Sequence, residues 1–384
     1  MNEMSDFGIA SRRQLFTGAG VAAAAALTSS VFGSRAEAMM LGSAQLDGAM
    51  PVARLNLREN PFGPSPMAVK AIVEAAGDAN RYAGDEKLAL INYIAAMYSV
   101  DPSMVMLSNG SKPTLSAMGA VWGNKRGDMV TADSTYGILY QSAAAFGANL
   151  VQVPLTESYD WDYQTMITKV GAKTSGIYLC NPNGTTGRLS TPEEMKAFII
   201  EASKYAPVFV DETYLDMTDD AAARTMIPLA AAGYNVVVSR TLSKLHGLAG
   251  QRLGYAIGPK AQLDPVRALL TDHVNRAACV AGLASLKDTK NQAMMRVKLA
   301  AGRKELESIF TSLDLPYVKG AVFNGVMVDF KKPVAAVSDK LKAKRILIGG
   351  RGTKEKPTWT SICVGTPTEL ALFKPALGEA LQMV

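Results

Sequence analysis

Lys244 has unusual neighbours for a lysine. It lies in the stretch SRTLSKLHGLAGQRLGY, between the hydroxyls of Thr241 and Ser243 and a glycine-containing run that leads to Arg252. A lysine amine is a nucleophile only when it is neutral, and desolvation or a cationic neighbour favours that form. Arg252 supplies such a charge and, with the two hydroxyls, can also bind a phosphate. The stretch therefore predicts covalent chemistry at Lys244 on a phosphorylated partner.

Two other stretches extend this prediction. Gly110, Ser111 and Lys112 open a predicted helix directly after a strand, where free backbone N–H groups and the helix dipole favour a phosphate. Asp211 ends the predicted strand PVFVD, and a buried carboxylate there needs a cation. A protonated pyridine nitrogen is such a cation, and the pairing keeps the ring an electron sink. Phosphate, pyridinium and a lysine-reactive aldehyde together describe pyridoxal 5′-phosphate (PLP).

Each of these features has an ordinary structural alternative. Most lysines are solvated, GSK is a common loop sequence, and an aspartate at the end of a strand is often a cap. Taken one at a time, the structural alternatives are favoured. The order of the whole set along the chain favours a PLP site instead.

Short β-branched runs alternate with helical stretches from about Val105 onward. These runs are VMLSNG, DMVTAD, LVQVPL, GIYLCN, PVFVDE and NVVVSR. A helix is expected over Ser190–Tyr205, with Ser190 or Thr191 as its cap and Pro192 just inside. The alternation predicts an α/β fold with a mainly parallel sheet between helices. Ligands gather at the carboxyl ends of such strands, where the polar residues above fall.

The pattern changes after about Asp264. Long helical segments through Lys290 to Phe310 are followed by the alternating runs AVFNGVMVDF and WTSICVGT. We therefore expect a large domain over 81–270 and a smaller α+β domain over 271–384, which residues 39–80 join.

The motifs resemble those of fold-type I PLP-dependent aminotransferases of class I/II, above all the histidinol-phosphate aminotransferase group. They are LNLRENPFGPSP, NRYAGDEKLA, NGSK, STYGILY, NPNGTTG, VDETYLDM, RTLSKLHGLAGQRLGY and VGT, and they run from Leu55 to Gly365. The resemblance implies a large domain with a sheet of the seven-stranded type. It also implies transfer of an amino group between an amino donor and a 2-oxo acid.

The resemblance also assigns roles to individual residues. Lys244 would form the Schiff base with PLP and move a proton between the substrate and the cofactor. Asp211 would hold the ring nitrogen, Tyr136 would stack on the ring, and Tyr214 would hydrogen-bond the phenolic oxygen. The implied phosphate ligands are Gly110, Ser111, Lys112, Thr241 or Ser243, and Arg252. The tyrosine that matches Tyr82 reaches the phosphate of the partner subunit, which implies a homodimer with shared sites.

The chain departs from the family pattern in two places. The family commonly has NPNNPTG, whereas this chain has NPNGTTG, so Gly184 stands where an asparagine would bond the phenolic oxygen. Asn183, one residue earlier, is the candidate substitute. Ser361 stands where the family places an arginine that binds the substrate α-carboxylate, and a serine has neither the charge nor the two-pronged geometry.

Several residues are candidates for contacting the substrate in place of that arginine. Arg351 is the nearest in sequence, with Lys354 or Lys356 behind it, although an exposed loop arginine is an equal alternative. The complete set of substrate candidates is Arg351, Ser361, Asn324 and Arg58, the last replacing the usual asparagine of the LNLRENP segment.

The first forty residues resemble an export signal. Arg12 and Arg13 precede an alanine-rich apolar run that ends at Ala36-Glu37-Ala38, a pattern typical of a cleavable signal peptide over 1–38. The paired arginines resemble the twin-arginine signal, which predicts a folded protein in the periplasm or outside the cell, starting at Met39. A membrane anchor or a tail is the alternative, although the run is short for a spanning helix.

Composition further narrows the kinds of partner and of site that the sequence favours. The chain has 384 residues, 48% of them hydrophobic, and a formal charge of +6 without basic blocks, so no nucleic-acid partner is expected. Three widely spaced cysteines and two histidines favour neither a disulfide framework nor a metal site.

Three hypotheses of function remain open from the sequence. The first is an exported PLP-dependent aminotransferase with a small amino donor and an oxo-acid acceptor. The second is a PLP-dependent oxidase, lyase or decarboxylase of an atypical amine, which the absence of the carboxylate arginine favours. The third is a non-catalytic PLP-binding protein, against which the presence of Lys244, Asp211, Tyr214 and Tyr136 counts.

Overall fold

The structure is a computed structural model that describes residues 52–271, 273–350 and 356–384. Short β-branched runs form strands because their side chains pack on both faces of a covered sheet. The strands are β1 (Ala53–Leu55), β2 (Val105–Ser108), β3 (Asp128–Ala132), β4 (Asn149–Val153), β5 (Thr174–Cys180), β6 (Val208–Asp211), β7 (Val236–Thr241), β8 (Gly254–Ile257), β9 (Gly325–Asp329), β10 (Ile346–Ile348) and β11 (Trp359–Cys363).

A seven-stranded sheet in the order β2-β8-β7-β6-β5-β3-β4 forms the centre of the structure. The pairs β3–β4, β3–β5, β5–β6 and β6–β7 are parallel, and β8 is antiparallel to both of its neighbours. The expected α/β fold with a mainly parallel sheet is confirmed. Because β2, β3, β5, β6 and β7 share one direction, the residues that follow them meet at one edge.

Helices flank this sheet and also form much of the carboxyl-terminal part. They are α1 (Pro66–Ala75), α2 (Asp85–Tyr98), α3 (Ser111–Gly123), α4 (Ile138–Ala145), α5 (Tyr163–Ile167), α6 (Pro192–Ala202), α7 (Ala221–Arg224), α8 (Ile227–Ala231), α9 (Lys260–Leu269), α10 (Arg276–Lys287), α11 (Thr289–Ser312), α12 (Val334–Ala343) and α13 (Pro367–Gln382). Short 3₁₀ turns lie at Ala76–Asp78, Pro102–Met104, Leu215–Met217 and Ala249–Gln251.

Local capping explains where α6 begins. Thr191, one of the two candidate caps, accepts a hydrogen bond from the backbone N–H of Glu194, and Pro192 is the first helical residue. The helix ends at Ala202, three residues before the expected Tyr205, since Ser203 and Lys204 continue only as turns.

Two buried hydrophobic clusters support the fold. The first packs around the central sheet and includes Trp122, Tyr178 and Phe209. The second includes Phe310 and Phe373 and packs around the antiparallel pair β9–β11 and the pair β1–β10. The expected larger and smaller domains, with boundaries at 80 and 270, stay predictions. Within the described residues, no helix is both long and apolar enough to cross a membrane.

Candidate active site

Lys244 lies in the loop after β7, and its amine points at the segment between β1 and α1. The Nζ atom donates to the backbone oxygens of Leu57 at 3.3 Å and Arg58 at 3.1 Å. It also lies 5.8 Å from the centre of the Tyr214 ring. No carboxylate among the described residues pairs with this amine. The amine is therefore held by carbonyl oxygens without a neighbouring carboxylate, a position that suits a lysine nucleophile.

Asp211 is a buried carboxylate at the end of β6. Its Oδ1 atom accepts from the Thr213 backbone N–H at 3.0 Å and from the Thr213 hydroxyl at 2.6 Å. Ser239, its register partner on β7, approaches the same oxygen at 3.4 Å. Burial raises the pKa of Asp211, although these hydrogen bonds oppose the shift. A cation beside it would favour the ionised form, so the position fits a protonated ring nitrogen.

The start of α3 forms a small cup for an anion. Gly110 is the N-cap with a φ of +83°, and no side chain caps the helix, which leaves the backbone N–H of Ser111 available for a ligand. A Cβ atom at position 110 would lie 2.2 Å from Nη2 of Arg252. The glycine at this position therefore allows the backbone of Ser111 and the Arg252 guanidinium to face the same space.

Hydroxyl groups complete this cup from β7 and the loop after it. Arg252 Nη1 donates to Ser243 Oγ at 3.3 Å, and Thr241 Oγ1 donates to the same oxygen at 3.0 Å. A Cβ atom at Gly254 would lie 2.9 Å from the Ser111 nitrogen, which shows how closely β8 approaches the helix start. The structure thus brings Gly110, Ser111, Thr241, Ser243 and Arg252 together, and their donors fit a phosphate.

Two tyrosines border the space between the cup and Asp211. Burial raises the pKa of Tyr136, and the charges of Asp211 and Tyr214 add to the effect while Arg58 opposes it. The Tyr214 hydroxyl accepts from Arg58 Nη1 at 3.4 Å, and its ring packs edge-on against Phe323 with centroids 5.5 Å apart. Arg58 contacts both Tyr214 and Gly184, and Gly184 packs against Tyr136, so these groups lie in one site.

The side chain of Asn183 forms hydrogen bonds to backbone groups of its own loop and of a neighbouring loop. Its Nδ2 donates to the Ser134 backbone oxygen at 3.1 Å, and its Oδ1 accepts from the backbone N–H groups of Thr185 at 2.8 Å and Thr186 at 3.3 Å. The amide is therefore occupied on both sides, and this placement does not support Asn183 as the substitute ligand for the phenolic oxygen.

The structure separates the candidate substrate residues. Arg351 and Lys354 lie outside the described residues, and Lys356 Nζ lies 5.9 Å from the Tyr159 ring centroid. Ser361 is on β11 opposite Met327, and its buried Oγ has no hydrogen-bond partner within the described chain.

Asn324 and Arg58 meet directly. Asn324 Nδ2 donates to the backbone oxygens of Arg58 at 2.7 Å and Glu59 at 3.0 Å. Its Oδ1 is buried and has no partner within the described residues. Arg58 is thus the substrate candidate that contacts Lys244, Tyr214 and Asn324 at once.

Tyr82 forms no hydrogen bond with the cup within the described residues of the single chain. Its side chain is 83% exposed, and its ring neighbour among the described residues is His273, with centroids 5.2 Å apart. An exposed tyrosine agrees with a role toward a second subunit without demonstrating one.

A buried ionic cluster beside the site was not foreseen. Arg240 is buried between Glu212, at 2.8 Å from Nη2 to Oε2, and Asp216. Burial alone would raise the pKa of Asp216, but Arg240 and His246 together lower it to about 2. The cluster holds the turn that carries Tyr214 and the loop that carries Lys244. The sequence contained a signal for this cluster, because an arginine inside the apolar run VVVSRT needs a charged partner when it is buried.

The fold and the site together define a class of protein: a fold-type I enzyme whose lysine, aspartate and anion cup fit PLP. The sequence matches the family "Aminotransferase class I and II" over residues 51–373, and the chain belongs to this family. It is a PLP-dependent aminotransferase in its family and fold.

Individual relatives agree with this assignment. Histidinol-phosphate aminotransferase from Moorella thermoacetica is 30% identical over 336 residues, which cover 87% of this chain and 86% of that protein. Histidinol-phosphate aminotransferase 2 from Haemophilus influenzae is 28% identical over 338 residues, which cover 87% of this chain and 91% of that protein. The crystal structure of histidinol-phosphate aminotransferase from Sinorhizobium meliloti in complex with pyridoxal 5′-phosphate has a TM-score of 0.78 at 25% identity, covering 92% of this chain and 96% of that chain.

Proposed function

We propose that this protein transfers an amino group between a small amino donor and a 2-oxo acid, with PLP attached to Lys244. The observation that carries the proposal is the convergence of three features at one sheet edge. These are the amine of Lys244, which forms no ion pair with a described residue, the buried carboxylate of Asp211 and the cup at Gly110. PLP, when bound, supplies the electron sink that makes the substrate α-proton acidic.

The residues of this chain then have separate tasks. Asp211 would pair with the ring nitrogen, while Ser111 and Arg252 would hold the phosphate. Tyr136 would cover the ring, and Tyr214 would hydrogen-bond the phenolic oxygen. Lys244 would hold and move the proton at the substrate α-carbon.

A screen of amine donors tests this proposal. Histidinol phosphate, because the similar proteins carry that name, and α-amino acids, which carry a carboxylate, are the first donors to test. With a 2-oxo acid as acceptor, we expect one amino acid to form per donor consumed, and neither ammonia nor peroxide.

The second candidate function is oxidation, elimination or decarboxylation of an amine. The neutral hydroxyl of Ser361, which has no hydrogen-bond partner among the described residues, favours it, because that hydroxyl carries no charge for a carboxylate. Release of ammonia with peroxide, or of carbon dioxide, from the same screen would establish this function instead and contradict transamination.

We propose further that the protein is exported folded by the twin-arginine route. Support comes from Arg12, Arg13 and the run that ends at Ala38, all of which lie outside the described residues. Replacing both arginines by lysine is expected to retain the precursor inside the cell, as measured by fractionation. Arg35→Lys, beyond the apolar run, is the matched control. Export of the double-lysine variant at the normal rate would contradict the proposal.

We also propose a homodimer in which Tyr82 of one subunit completes the phosphate cup of the other. The 83% exposure of Tyr82 and the absence of a hydrogen bond from it to the cup within the described residues of one chain support this arrangement. It gives two shared sites per dimer, related by the two-fold axis.

A further inference from the structure

The backbone of Arg58 is held in place from three directions. Its φ is +52°, in the left-handed region that side chains rarely adopt. Its N–H donates to Cys363 Sγ at 3.1 Å, and its carbonyl oxygen accepts from Lys244 Nζ at 3.1 Å and Asn324 Nδ2 at 2.7 Å. Contacts of this kind stabilise a strained conformation, so the surrounding structure fixes where the side chain starts.

The guanidinium of Arg58 enters the site between two aromatic rings. Its Cζ atom lies 4.4 Å from the Phe323 ring centroid and 5.8 Å from that of Tyr214. The Nη1 atom donates to the Gly184 carbonyl oxygen and, at 3.4 Å, to the Tyr214 hydroxyl. A Cβ atom at position 184 would lie 2.8 Å from the Tyr136 Cβ, so a larger residue there would disturb this packing.

One edge of the same guanidinium is unused. Both contacts above are made by Nη1, and within the described chain neither Nε nor Nη2 has a hydrogen-bond partner. These two nitrogens form the fork that matches the two oxygens of a carboxylate. Arg58 also makes no ion pair with a described residue. A guanidinium without an ion pair in a partly desolvated site is stabilised by a bound anion.

We propose that Arg58 binds the carboxylate of the amino donor and thereby makes the enzyme selective for amino acids over simple amines. This inference rests on the proposed function, and it names the substrate class as acids that carry the carboxylate near the reacting carbon. Arg58 reaches the site from the segment between β1 and α1, and so supplies the charge that Ser361 on β11 lacks. The carbonyl oxygen of Gly184 holds the guanidinium beside Tyr214.

The experiment measures binding of an unreactive acid to the PLP-loaded enzyme by calorimetry. Propionate is the probe, since it has no amine to transfer, and propionamide is its uncharged counterpart. Arg58→Gln is expected to weaken propionate binding about 10- to 100-fold, the loss of a charge-assisted contact, and to change propionamide binding less than about twofold. Arg54→Gln is the matched control, because Arg54 precedes the same segment and forms an exposed ion pair with Glu59.

A second pair of variants distinguishes charge from structure. Arg58→Asn suits the left-handed backbone and should reproduce the loss. Adding Ser361→Arg to Arg58→Gln should restore most of the propionate affinity. Unchanged propionate affinity in both Arg58 variants, or an equal loss for acid and amide, would overturn this inference. Loss of bound PLP in both Arg58 variants would also overturn this inference, since it would show that Arg58 serves to hold the cofactor in the unaltered protein. Failure of the unaltered protein to bind PLP would instead contradict the proposed function.

Discussion

Lys244→Ala is expected to abolish covalent attachment of PLP and to lower turnover by about 10²- to 10⁴-fold, the contribution of a positioned proton-transfer group. The amine that contacts Leu57 and Arg58 is the nucleophile in the proposed site, and alanine has neither nucleophile nor base. Borohydride reduction followed by peptide mass mapping measures the attachment. The unaltered chain should carry the label on the peptide that contains Lys244.

Lys290→Ala serves as the control for this variant. Lys290 is exposed on α11, far in sequence from the strand ends that form the site, so its loss should leave labelling and turnover unchanged. A label on a different lysine of the unaltered chain would show that Lys244 is not the attachment point, and the proposed function would lose its central residue.

Mixing Tyr82→Ala with Lys244→Ala subunits is expected to restore activity that neither variant has alone at limiting PLP. In the proposed dimer each mixed pair contains one site with both residues intact and one site with neither. Random exchange of equal amounts then regenerates about a quarter of the wild-type sites. Tyr82→Ala alone should weaken PLP binding about 10- to 100-fold, since it removes a hydrogen bond to a charged group.

Tyr205→Ala is the matched control, because Tyr205 is another exposed tyrosine, at 57%, on the turn after α6. Its PLP affinity should equal that of the unaltered protein. Differently tagged subunits show by co-purification whether exchange has occurred. If mixed dimers form and activity stays at the level of the separate variants, the sites are not shared through Tyr82.

The parts of the site that the sequence alone determined are local. Gly110 precedes a helix start, Asp211 ends a strand, and Lys244 is followed eight residues later by Arg252. In each case one short stretch of sequence was enough to predict the chemistry. The alternation of strands and helices then predicted that these residues meet, because parallel strands bring their carboxyl ends to one edge of the sheet. The fold class and the meeting of these residues followed from that rule without coordinates.

The role of the substrate candidates was decided only by tertiary structure. Arg58 contacts Gly184 and Tyr214 across 126 and 156 residues of sequence, and no local pattern reports such pairs. The occupied amide of Asn183 and the partners of buried Arg240 are likewise set by neighbouring segments. The sequence therefore determined which chemical groups are present and at which edge of the sheet they lie. The tertiary structure decided which groups are already paired and which remain free for a ligand, because pairing depends on distances between segments remote in sequence.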